Sequence, residues 1–315
     1  MARNLTVGAA QMGPVGREES RASVVKRMIA LLEEAERKNC RLVVYPELAL
    51  TTFFPRWYME DQAEVDRFFE ADMPNEDLQP LFDAAASRGI GFSFGYAELV
   101  EEPGGLRRFN TSVLVDETGA IVGKYRKVHL PGHSEYEPER PFQHLEKRYF
   151  EVGDLGFPVF RAFDGIMGMC ICNDRRWPET YRVMGLQGVE MVMVGYNTPQ
   201  INGAIPEPGH LRMFHNHLSL QAGAYQNGIW VIGVAKAGVE EGVEHIAGTC
   251  IVAPTGEIVA QCQSMGDELV AFNCDLDHGQ YLRETTFNFA KHRRIEHYGL
   301  ITERTGAIPP PEVND

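Results

Sequence analysis

Strand-like and helix-like patterns alternate along most of this chain, and that alternation limits its fold more than any other feature. Leu5–Ala10 reads as a strand. Arg21–Lys38 reads as a helix, with Val25, Met28, Leu32 and Ala35 on one stripe and Lys26, Glu33, Glu34 and Arg37 opposite. Leu42–Tyr45 is a short apolar strand that stops at Pro46 and Glu47, and Gly89–Glu98 is another. Thr111–Asp116 and Ala120–Lys127 flank a turn at Glu117, Thr118 and Gly119, which makes a hairpin. Further on, Ile166–Ile171 is a strand, and Pro178 suits the first position of a helix ending near Gly188. Met191–Gly195 is a strand, Leu211–Gln226 a helix closed by Asn227 and Gly228, and Trp230–Ala235 and Thr249–Ala253 are strands.

The hairpin Val115–Gly123 is echoed by Val252–Ala260, 137 residues later (252 − 115), a hint of two related halves. No Ser/Gly/Pro-rich linker divides the chain, so residues 1–303 are expected to form a single α/β domain. The tail 304–315, with Pro309, Pro310 and Pro311, is expected to be loose or to cover a partner subunit. At 315 residues, 44% hydrophobic and 23% charged, the composition is that of a globular protein with a full core. Thirty basic against 44 acidic residues give a net charge of −14, which disfavours nucleic acid and anionic membrane as partners. The N-terminus does not read as a secretory signal, and no apolar run approaches the ~20 residues of a membrane span. Six scattered cysteines fit a reduced, cytoplasmic enzyme.

Candidate chemistry sits at strand ends. Cys172 follows the strand over residues 165–171 and precedes Asn173, Asp174, Arg175, Arg176, Trp177 and Pro178. A strand-to-helix corner is where open α/β folds place their sites, and two nearby arginines would favour a thiolate. The plain alternative is another buried thiol like Cys170. Glu47 ends its own strand, where apolar surroundings would suit a general base, or it is a surface carboxylate. Period-two alternation puts Tyr125, Lys127 and His129 on one side, so Lys127 is either an inward oxyanion holder or a solvated strand end. A metal site on His210, His215, His217, Cys170 and Cys172 is a competing reading. On a helix His215 and His217 stand about 200° apart, and no His-Glu-x-x-His or Cys-x-x-Cys occurs.

Taken together, Glu47 in residues 45–50, Lys127 in residues 123–131 and Cys172 in residues 170–179 resemble the nitrilase superfamily of carbon–nitrogen hydrolases over nearly the whole chain, to about residue 300. Within it, residues 51–57, 141–150, 173–178, 195–199 and 287–289 are most similar to the N-carbamoyl-D-amino-acid amidohydrolases. Val152, where that branch often has Pro, and the loop 200–210 depart from it. The resemblance implies an α-β-β-α four-layer sandwich, no metal or other cofactor, and a homodimer or homotetramer. It makes Cys172, Glu47 and Lys127 catalytic, with Glu146 a second, supporting carboxylate.

On that reading Glu47 takes the proton of Cys172, the thiolate attacks the carbonyl carbon of an N-carbamoyl amino acid, and Lys127 holds the oxyanion. Glu47 then protonates the departing ammonia and activates water against the acyl-enzyme. Arg175 is expected to grip the substrate carboxylate while Arg176 braces the loop, unless both pair with Asp174 or Glu179. Asn173, Asn197, Thr198 and His144 are expected to line the same pocket. Alternatives are an amidase or nitrilase acting on another small C–N substrate, and a non-catalytic binding subunit of the same fold.

Overall fold

A computed structural model of the chain describes residues 3–201 and 207–312. The first half runs β1 (Asn4–Gln11), helix α1 (Arg21–Arg37), β2 (Leu42–Val44), β3 (Phe69–Glu70), helix α2 (Gln79–Arg88), β4 (Gly91–Glu102), β5 (Gly105–Val115) and β6 (Ile121–Arg126). The second runs β7 (Val159–Ala162), β8 (Gly165–Ile171), helix α3 (Pro178–Leu186), β9 (Met191–Tyr196), helix α4 (Gly209–Asn227) and β10 (Trp230–Ala235). A ribbon of β11 (Ala237–Glu240) and β12 (Val243–Ile246) follows, then β13 (Cys250–Val252), β14 (Ile258–Gln261) and β15 (Glu268–Asp275).

The strands form two large sheets, ordered β15-β1-β2-β4-β5-β6 (with β3 beside β4) and β7-β8-β9-β10-β13-β14. Read from β15, the first sheet pairs antiparallel, parallel, parallel, antiparallel, antiparallel. Read from β7, the second pairs in the same sequence. The β5–β6 and β13–β14 hairpins, which share the repeated turn, thus occupy equivalent places. Each carries a register shift at its turn end, at Leu114/Val115 and at Ile251/Val252. The repeated hairpin is therefore one visible trace of two like-built halves.

Layering follows from side-chain alternation. Leu5, Val7 and Ala9 of β1 and Leu42 and Val44 of β2 join Met167, Met169, Val192 and Val194 of the second sheet in one core. The alternate residues Ala10, Val43, Phe92 and Phe94 pack with Val24, Met28, Leu31 and Leu32 of α1. Tyr181 and Met184 of α3 and Leu220 and Ala224 of α4 bury against the second sheet. The result is the four-layer α-β-β-α sandwich.

The strand and helix boundaries lie within a few residues of those read from the sequence. The exceptions are instructive. β7, β11 and β12 are four residues each, too short to show a period. β15 mixes buried, half-buried and exposed positions and gains its place by pairing with β1 along its full length. Arg304–Glu312 are exposed and belong to no helix or strand. Among the described residues, no helix is long and apolar enough to cross a membrane.

Candidate active site

Three strand ends meet where the two sheets pack. β8 ends at Ile171, and Cys172 opens a single 3₁₀ turn, Cys172–Arg176, with φ +48°. Residues other than glycine rarely adopt that conformation, and such strain is typical of positions held by function. Asp174, fully buried, holds the turn in place. Its Oδ2 accepts hydrogen bonds from the Ile171 N–H (3.0 Å) and the Tyr125 hydroxyl (2.7 Å), and its Oδ1 from the His129 N–H (2.9 Å). His129 Nδ1 lies 2.8 Å from the same Oδ1. One carboxylate thereby ties the segment after β6, which carries Lys127, to the turn that carries Cys172.

Glu47 is seated by two glycines. A Cβ on Gly95 of β4 would stand 2.7 Å from the Glu47 Cα, and one on Gly195 of β9 2.5 Å from the Glu47 nitrogen. Any side chain at either position would push this backbone away. The carboxylate then collects four donors. Oε1 accepts from Lys127 Nζ (2.7 Å) and Asn110 Nδ2 (2.8 Å), and Oε2 from the Asn197 N–H (2.9 Å) and, weakly, Asn197 Nδ2 (3.4 Å).

Lys127 is fully buried, with Nζ donating to Glu47 and, at 2.5 Å, to Glu146 Oε2. An ammonium has three protons, so one N–H is left for a third acceptor. Glu146 Oε1 in turn lies 3.0 Å from His144 Nε2. Burial works against charge at Lys127, but Glu146 and Glu47 outweigh it and push its pKa up. Burial likewise opposes ionisation of Glu146, yet Lys127 and His144 hold it below its ordinary value. Both stay charged.

Cys172 behaves differently from the sequence expectation. Burial first, and then the Glu47 charge, push its thiol up, against the opposing pull of Lys127 and Arg175. The nearby arginines do not make a standing thiolate. The thiol instead donates to the Asn197 carbonyl, with sulfur 3.7 Å from oxygen.

A cavity of about 420 Å³ opens onto Cys172. His144, Asn173, Arg176, Asn197 and Thr198 line it, together with Phe142, Arg140, Arg212, Glu207 and His215. Arg175 is not on its wall, which corrects the expectation that this arginine faces a substrate. It is buried, with Nε donating to Asn216 Oδ1 (2.8 Å) and the other nitrogens to the Cys172 carbonyl and Thr198 Oγ1 (3.0 Å). Its guanidinium stacks over Tyr196, 4.5 Å from the ring centroid. Successive residues at the end of the turn point apart, and here the inward place falls to Arg175 and the cavity to Arg176.

Neither arginine pairs with Asp174 or Glu179 among the described residues. Asn197 touches the cavity, but its amide is already committed to Glu47, donating to the backbone carbonyl at 2.8 Å. Asn173 Nδ2 donates to the His129 carbonyl. Of the candidate metal-ligating histidines, His215 pairs with Glu207 and His217 lies 3.2 Å from the Gly248 carbonyl. Among the described residues no group of three or more His, Cys, Asp and Glu could hold a metal ion. Residues 202–206 of the loop 200–210, which departs from the branch pattern, lie outside the described residues.

Sequence reasoning missed Asn110 and the anchoring role of Asp174. Asn is depleted from strands, and the one signal in the sequence was an Asn directly ahead of the strand-like run Thr111–Asp116. Asp174 offered none, because its partners Tyr125 and His129 are distant in the chain.

The fold and site set a buried cysteine beside a buried Glu–Lys–Glu cluster. Residues 6–284 match the model of the carbon–nitrogen hydrolase family, and the chain belongs to that family, whose chemistry is C–N bond hydrolysis through a cysteine. It is 28% identical over 269 residues to a nitrilase of Pyrococcus abyssi, covering 85% of this chain and 90% of that one. It is 27% identical over 290 residues to an N-carbamoylputrescine amidase of Arabidopsis thaliana, covering 88% and 89%. The fold matches a carbon–nitrogen hydrolase of Helicobacter pylori G27 with a TM-score of 0.82, at 24% identity over 96% of this chain and 99% of the other.

Proposed function

We propose that this protein hydrolyses the N-carbamoyl group of a small, carboxylate-bearing substrate, and that N-carbamoyl-D-amino acids are its substrate class. The observation that carries this is Arg176. Of the cavity's three arginines, Arg140 pairs with Glu137 and Arg212 with Glu207, whereas Arg176 has no carboxylate partner among the described residues. A guanidinium left unpaired beside the nucleophile is suited to a substrate carboxylate.

In this reading Glu47 accepts the Cys172 proton as sulfur attacks the carbonyl carbon, and the remaining Lys127 N–H stabilises the oxyanion. Glu47 passes that proton to the leaving nitrogen, which departs as ammonia, and then draws a proton from the water that cleaves the acyl-enzyme. Glu146 keeps Lys127 charged and aimed. His144, Asn173 and Thr198 wall the pocket around the substrate.

Relatives named nitrilase and N-carbamoylputrescine amidase favour a second reading more directly: hydrolysis of another small amide, ureide or nitrile. An assembled Cys172, Glu47 and Lys127 speaks against a non-catalytic subunit. Ammonia release from N-carbamoyl-D-phenylalanine, its L-enantiomer, a simple amide and a simple nitrile separates these. The first reading expects the D-ureido acid to be turned over fastest. Faster turnover of the amide or nitrile selects the second.

We also take residues 1–303 as one domain in a homodimer or homotetramer, with the tail 304–315 loose or over a partner. Exposed Phe214, Leu218 and Tyr225 on α4 and Val183 and Leu186 on α3 supply an apolar face for that assembly. Light scattering on the eluted protein tests it. Six unpaired cysteines among the described residues suit the cytoplasm.

A further inference from the structure

Asn110 lies in the middle of β5 and is fully buried. Its backbone carbonyl accepts the Lys127 N–H at 2.8 Å, and its Nδ2 donates to Glu47 Oε1 at 2.8 Å. One residue thus touches both the segment bearing the lysine and the carboxylate itself. Its Oδ1 is buried without a hydrogen-bond partner among the described residues. A buried amide with an orphaned oxygen is a costly filler, and an apolar side chain of that size would pack there at less cost. The amide's whole polar contribution is its bond to Glu47.

We propose that Asn110 is a positioning residue for proton transfer, holding Glu47 Oε1 so that the carboxylate stays oriented toward Cys172. The inference rests on the reading of Glu47 as the proton acceptor. Glu47 is faced by Lys127 after β6, which it shares with Glu146 on the short helix Glu146–Tyr149, by Cys172 after β8, and at longer range by Lys236 after β10. Asn110 is the neutral side-chain donor on the oxygen that Lys127 also grips. Its neutrality matters: a second cation there would pair with Glu47 and weaken it as a base, whereas an amide orients it without cancelling its charge. Loss of a donor to an ionised group favours the protonated form.

The test uses the full chain and two readouts that share no substrate. Alkylation of Cys172 by iodoacetamide is followed by peptide mapping across pH, and kcat/KM is measured on N-carbamoyl-D-phenylalanine over the same range. Asn110→Leu removes the donor at similar volume and leaves the backbone bond to Lys127, and Asn110→Ala repeats the loss with less bulk. The acid limb of both profiles is expected to move up by about one to two pH units in either variant. In a Glu47→Gln background the same substitution should add no further change, because its effect is routed through that carboxylate. A folded variant with the wild-type acid limb overturns the inference. So does loss of fold in both variants, which would give the amide a structural role. Should Glu47→Gln itself keep the wild-type alkylation profile, the reading of Glu47 fails. A limb abolished in Glu47→Gln but unmoved by Asn110→Leu removes only the role of Asn110.

Discussion

Arg175 and Arg176 are consecutive in the chain, yet Arg175 is sealed beneath the nucleophile turn on Asn216, Thr198 and Tyr196 while Arg176 opens into the cavity beside Cys172. Their substitutions should therefore fail in different ways. Arg176→Ala is expected to lower kcat/KM on an N-carbamoyl amino acid by about 1.5–3 kcal/mol more than on its uncharged amide analogue, with the melting temperature little changed. Arg175→Ala should hurt both substrates alike and cost about 3 kcal/mol of stability in denaturant unfolding, because it leaves a cavity and unpaired buried groups. Equal losses on acid and amide in Arg176→Ala would remove its role in reading the carboxylate.

Burial and the Glu47 charge push the Cys172 thiol up, so the proposed mechanism needs Glu47 to take the proton as sulfur attacks. Cys172→Ala and Glu47→Gln should each reduce kcat by at least about 10²–10³ while leaving the far-ultraviolet circular dichroism unchanged. Iodoacetamide should abolish turnover, and a chelator should leave it intact. Loss of activity on chelation, with survival after Cys172 is fully alkylated, would contradict the mechanism.

Gly195 offers a test that involves no functional group. Gly195→Ala would set a Cβ 2.5 Å from the backbone nitrogen of Glu47, so one of the two must shift. A displacement near 1 Å at a catalytic group can cost about 10² in rate. We expect kcat to drop by about that factor in a protein that still folds. Wild-type kcat would show that the clamp on Glu47 is slack.

A second buried charge cluster supports the loop after Glu47. Glu240 accepts from the Phe53 N–H (2.7 Å), Arg56 (2.7 Å) and Lys236 (3.2 Å), all of them buried. Burial opposes its ionisation, but Lys236, His245 and Arg56 together hold its carboxyl well below the usual carboxylate range. A depressed carboxyl stabilises the fold above its unfolded value of about 4.3, and that contribution disappears as pH falls through the native value. Glu240→Gln should cost about 3–5 kcal/mol at pH 7 and flatten the loss of stability as pH falls below about 4. An unchanged acid slope in chemical denaturation would exclude Glu240 as a source of acid lability.

The sequence by itself determined the alternation of elements, the two hairpins and the strand-end positions of Glu47, Lys127 and Cys172. These are local properties: hydrophobic period, turn residues and the order of motifs are written over a few residues each. What lay beyond its reach was decided at long range. β15 is a strand because β1 offers it an open edge some 260 residues earlier in the chain. Asn110 and Asp174 matter because folding brings them to Glu47 and to Tyr125 and His129. Which of two adjacent arginines faces the cavity could not be read from their order, since both carry the same charge and the same reach. Tertiary packing decided it: Asn216, Thr198 and Tyr196, from another strand and helix, form the buried socket that only Arg175 occupies, and Arg176 is left to the cavity.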